Sequence, residues 1–128
     1  MQVCGHAKYT DDMELPPHTL HAALVPSPVP HAKLLGIDSS AAEALLGVHG
    51  VFSAKDVPGK NETGAVFMDE NVFAVDELTC VGQVVAVVVA ESAALALRAA
   101  RLVNVRCLWP PQPVGILLAQ HPLLQEYP

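Results

Sequence analysis

The sequence predicts an α+β fold in which a mixed β-sheet carries two helices, over about residues 40–46 and 92–103. Three observations predict it. The run Val84–Ala90 is almost continuously β-branched, which suits a strand covered on both faces. It leads through Ser92 and a helical stripe to Asn104-Val105, a strand–helix–strand order that makes a crossover and so brings parallel pairing into the sheet. Ser40 and Glu43 form an S-x-x-E capping box, which opens a second, shorter helix.

In chain order, Gly5 to Tyr9 reads as a first strand ending in a turn at Thr10-Asp11-Asp12. Pro16-Pro17 forces an extended approach to a strand over Thr19 to Val25. Pro26, Pro28 and Pro30 then remove three backbone donors, so this piece belongs to an edge or a bend and not to the middle of a ladder. His31 to Ile37 is a third strand. The short helix from Ala41 to Leu46 ends at Gly47, and His49 to Ser53 is a further strand. Lys55 to Gly64 is polar and reads as loop, and Asn71 to Val75 as a brief strand. Leu78–Val81 and Gln83–Ala90 are strands meeting at Gly82, where a lone glycine lets the chain turn sharply. On the second helix, capped by Ser92, Leu95, Ala99, Leu102 and neighbouring Val103 form the apolar stripe, with Arg98 and Arg101 pointing elsewhere. From Trp109, five prolines break the chain into pieces too short for a stable helix.

Composition narrows the function classes. A chain of 128 residues can bury a core, and its 52% hydrophobic content suits a folded domain. Charged residues make up only 16%, low for a free-standing surface, which implies that part of it is covered by something else. The net charge of −6 and the lack of a basic run argue against a nucleic-acid partner. The longest apolar run has seven residues, too few to span a bilayer, and the start lacks the pattern of a secretory signal, so the expected location is cytoplasmic. Without such a signal, Asn61-Glu62-Thr63 reads as a chance match to a glycosylation acceptor.

No set of residues converges on a reaction. Cys4, Cys80 and Cys107 are widely spaced with no C-x-x-C, so they read as reduced structural thiols and not as zinc or iron–sulfur ligands. His18 and His21 straddle a strand start and would face opposite ways, and no E-x-x-H or H-x-x-x-H pair exists. His31 reads as a strand-entrance residue that bonds backbone or lines a contact surface. Asp11 and Asp12 are neighbours, better suited to a turn than to acid–base work across a cleft. No phosphate-binding glycine loop and no G-x-S-x-G is present.

Four short blocks nevertheless stand in a telling order: Gly5, Ala7, Tyr9, Asp11 and Asp12; Ser27, His31 and Ala32; Gly50-Val51, Ala54 and Asp56-Val57-Pro58-Gly59; and Phe73-Ala74, Asp76 and Val81-Gly82-Gln83, which runs on to Ala90. Together with Ile37, Asp38, Ala42, Ala96, Ala99, Ala100, Val103 and Val105 they resemble the a/b hammerhead domain of the xanthine dehydrogenase and aldehyde oxidase family, over about Gly5 to Arg106. The stretch from Thr10 through Pro16-Pro17 to Ala23 is similar to the plant-type xanthine dehydrogenases.

That resemblance carries expectations. Enzymes of the family hydroxylate purines or aldehydes at a molybdopterin centre, pass electrons through iron–sulfur clusters to FAD, and are often homodimers. Their hammerhead domain precedes the molybdopterin-binding region and packs against it. The catalytic groups belong to that later region and the cluster cysteines to an earlier one. The resemblance therefore implies a structural fragment of a molybdenum hydroxylase, inactive alone, with no catalytic, cofactor-binding or metal-binding residue in this chain.

It also implies a hammerhead domain over 1–106 and a divergent, poorly ordered proline-rich tail over 107–128. A truncated product, an altered reading frame or an incomplete gene model would each account for the break after Arg106. Two other readings stay open. One is a stand-alone protein-interaction module; the other is a small metal-binding protein using His18, His21 or His31.

Overall fold

The structure, a computed structural model, describes residues 2–64 and 70–108. Its strands are β1 (His21–Pro26), β2 (Ala32–Asp38), β3 (Val48–Ser53), β4 (Glu62–Thr63), β5 (Glu70–Asn71), β6 (Glu77–Leu78), β7 (Val84–Ala90) and β8 (Asn104–Leu108). Helix α1 spans Ser40–Glu43 and α2 spans Ala93–Ala100, while Gln2–Cys4, Thr10–Asp12 and Ala54–Asp56 form single 3-10 turns.

Among the described residues the strands form two three-stranded sheets, ordered β1-β7-β3 and β6-β2-β8, and a small β4-β5 hairpin. The valine run Val84–Ala90 becomes the central strand of the first sheet because its neighbours pair with it on both sides, Ala23 opposite Val88 and Val51 opposite the same residue. Ser92 stops it. The Ser92 hydroxyl accepts from the Leu95 N–H at 3.3 Å and starts α2, which folds back onto β1 and β7.

The α+β class and the two helices are as the sequence predicts, but the expected mixed pairing is not found: every described ladder is antiparallel. The crossover through α2 does exist. It carries the chain from the first sheet to the second, so β7 and β8 never become parallel neighbours.

The main core is alanine-rich. Ala23, Val25, Ala86, Val88 and Ala90 of the first sheet meet Ala96, Ala99, Ala100 and Val103, with Ala42 from α1. Small side chains on both surfaces let α2 lie close to the strands, and full burial of one such valine contributes about 1.5–3 kcal/mol relative to exposure. This corrects the expected helix stripe. The buried face is Ala96, Ala99, Ala100 and Val103, whereas Leu102 is 42% exposed and Leu95 only partly buried. A second cluster joins Ala32, Ala74, Leu78 and Val85 between the two sheets, with Cys107 against it.

Other local readings change as well. Gly5 to Tyr9 forms no strand; a Tyr9–Asp12 box turns the chain instead, with the Tyr9 N–H donating to the Asp12 carboxylate at 3.0 Å. The shorter helix starts one residue earlier than the expected box. Ser39 is the N-cap and its hydroxyl donates to Glu43 at 2.8 Å, while Asp38 accepts from both the N–H and the hydroxyl of Ser40. The helix closes at Glu43, short of Leu46, which is 98% exposed. Strand β8 includes Cys107 and Leu108, paired with Leu34 and Lys33. The rest of the expected tail, 109–128, lies outside the described residues.

Candidate functional site

The structure brings two of the four sequence blocks into one joint. The proline-rich bend after β1 and the Val81-Gly82-Gln83 turn before β7 are bonded main chain to main chain: the Ser27 N–H donates to the Gln83 carbonyl at 2.8 Å, and the Gly82 N–H to the Ser27 carbonyl at 3.0 Å. Ser27 is buried, and its hydroxyl donates to the Val29 carbonyl at 2.8 Å while accepting from the Val29 N–H at 3.3 Å. The Gln83 side-chain oxygen in turn accepts from the N–H and hydroxyl of Thr79. Gly82 has φ +88°, the left-handed conformation that this turn needs and that glycine adopts without strain. Next along, the Ala74 N–H donates to the Val84 carbonyl and the Leu34 N–H to the Asp76 carbonyl, both at 2.8 Å, which stitches the fourth block to β7 and β2.

The third block is a self-contained turn, with the Asp56 carboxylate accepting from the Ser53 N–H at 2.8 Å and the Ser53 hydroxyl at 3.1 Å. One clamp escaped the sequence reading. The Asn61 side chain donates to the Phe73 carbonyl at 2.7 Å and accepts from the Phe73 N–H at 2.9 Å, tying the loop before β4 to the segment after β5. Both polar atoms of Asn61 are thereby engaged.

The histidines do not assemble. His18 is exposed at φ 64°, His21 is half-buried at the start of β1, and His31 pairs through Nε2 with the Glu77 carboxylate at 2.9 Å. His31 thus bonds a side chain from the neighbouring strand β6, and not backbone as one of its expected roles had it. Among the described residues no three His, Cys, Asp or Glu side chains are grouped as metal ligands. Cys4 and Cys80 are exposed free thiols, and Cys107 is half-buried. Asp38 has a carboxyl held below the usual range, first by the Ser40 hydroxyl, then by the Ser40 N–H, with a smaller contribution from Arg106. Its role is to start α1. Among the described residues no helix is long and apolar enough to cross a membrane.

What remains is surface. Strand β7 was expected to be covered on both faces. Its Ala86, Val88 and Ala90 are buried under α2, and Val85 on the opposite face is buried in the second cluster, but Val87 and Val89 on that face are only half-buried. Leu24 and Phe52 are the cross-strand partners of Val87, and they are 59% and 44% exposed. The result is a contiguous apolar sheet face. Beside it, a groove of about 480 Å³ lies between β1, the last turn of α2 and the start of β8, lined mainly by apolar side chains with Arg101 and Asn104. A sequence signal for the open face was present: Ala22-Ala23-Leu24-Val25 is apolar without alternation, although β1 is an edge strand.

Comparison with known proteins gives these features a context. Residues 4–107 match the family described as "Aldehyde oxidase and xanthine dehydrogenase, a/b hammerhead domain". The chain is 58% identical over 106 residues to Xanthine dehydrogenase 2 of Arabidopsis thaliana and 54% identical over 105 residues to Xanthine dehydrogenase of Oryza sativa subsp. japonica, covering 83% and 82% of this chain. It spans only 8% of the length of either relative. The solved aldehyde oxidoreductase from Desulfovibrio gigas superposes with a TM-score of 0.79 at 35% identity, over 86% of this chain and 13% of that one. Sequence blocks, antiparallel two-sheet architecture and family match agree, and the chain belongs to the aldehyde oxidase and xanthine dehydrogenase family as its a/b hammerhead domain.

Proposed function

We propose that this domain is a structural module of a xanthine dehydrogenase-like molybdenum hydroxylase, that its open sheet face packs against the molybdopterin-binding region, and that it has no active site of its own. The observation that carries this reading is the half-exposed apolar face of Leu24, Phe52, Val87 and Val89. Polar side chains are expected where an antiparallel sheet faces water, and apolar ones where it faces a partner. The low charged fraction of 16% supports the same reading. The module is assigned to residues 1–106, the expected bounds, with β8 running two residues past them through Cys107 and Leu108. The same proposal takes the parent enzyme to be homodimeric, as the family's enzymes often are, and cytoplasmic, as the sequence reading expects.

The residues present do not fit the family's cofactors. A cluster of the ferredoxin type takes four cysteine ligands, and this chain has three, far apart in sequence. Molybdopterin needs converging polar donors for its phosphate and pterin, and the groove beside the open face offers, among the described residues, Arg101 and Asn104 in an apolar lining. No catalytic step is assigned to this chain.

The test is metal analysis and assay of the purified chain. The reading expects no molybdenum and no xanthine or aldehyde oxidation. Stoichiometric molybdenum, or turnover by the chain alone, would overturn it.

A further inference from the structure

We draw no further inference here: the strongest candidate, the apolar groove of about 480 Å³ between β1, the last turn of α2 and the start of β8, carries nothing because nothing in the structure shows what covers it.

Discussion

The main-chain N–H of Ser27 is bonded to the carbonyl of Gln83 at 2.8 Å, so the proline-rich bend and the glycine turn form one joint between the two sheets. The Ser27 hydroxyl completes it by serving both polar groups of Val29. Ser27→Ala leaves the Val29 N–H and carbonyl without that partner in a partly buried setting, and the expected loss is about 1 kcal/mol. Urea unfolding checks it; a change within error would mean that the hydroxyl is dispensable.

Two left-handed glycines give a paired prediction. Gly47 and Gly82 both have φ +88°, so alanine at either costs about 1–2 kcal/mol in backbone strain. At Gly82 an added Cβ meets nothing within 4 Å, whereas at Gly47 it would lie 2.9 Å from Leu95 Cδ2 and 3.1 Å from Glu91 Oε2. Gly47→Ala should therefore be the more damaging by roughly 1 kcal/mol, the flexible ends of Leu95 and Glu91 having to shift. Thermal or urea unfolding of the two variants side by side measures the difference, and equal losses would remove the steric part of the account.

Asn61 bonds both main-chain groups of Phe73. Asn61→Asp keeps the acceptor but sets a carboxylate against the Phe73 carbonyl, with an expected cost of about 1–3 kcal/mol. Faster amide exchange at Phe73 in the variant is the specific readout, since a global loss of stability alone would not single out that residue.

Asp38 gives a pH signature. The Ser40 hydroxyl and N–H, helped by Arg106, hold its carboxyl below the ordinary value of 3.8. A group whose folded-state pKa is depressed contributes stability that is fully present above its unfolded value and is lost as pH falls through the folded one. The difference in unfolding midpoint between the wild-type chain and Asp38→Asn should be constant at neutral pH and shrink as acid carries the solution below about pH 4. A difference that grows in acid would show the reverse sign and exclude this role.

Much of this fold was legible because local chemistry and global packing agree. Val84–Ala90 is rich in valine and ends at a serine cap, and it becomes the central strand followed by α2. The three prolines after Leu24-Val25 mark an edge, and β1 is one. Pairing was less legible. Strand, helix and strand in succession do not say whether the second strand returns to the same sheet, and here β8 joins β2. On α2 the larger Leu95 and Leu102 suggest a stripe that the packing does not use, because Ala96 and Ala100 are the residues small enough to lie against the strands. Of the candidate surface, the uncovered face was hidden by its own composition. A strand covered by a partner outside the chain reads the same in sequence as one covered from within, and only the half-exposure of Val87 and Val89 tells them apart.

The central claim is that this face packs on the rest of a xanthine dehydrogenase. The direct measurement is co-purification of the full chain with a plant xanthine dehydrogenase from which the matching segment has been removed, using the wild-type chain, Phe52→Glu and Val87→Glu, each variant first checked for folding by circular dichroism. The account predicts that the wild-type chain is retained and that both folded variants are lost. Failure of the wild-type chain to be retained, or equal retention of all three, would contradict it.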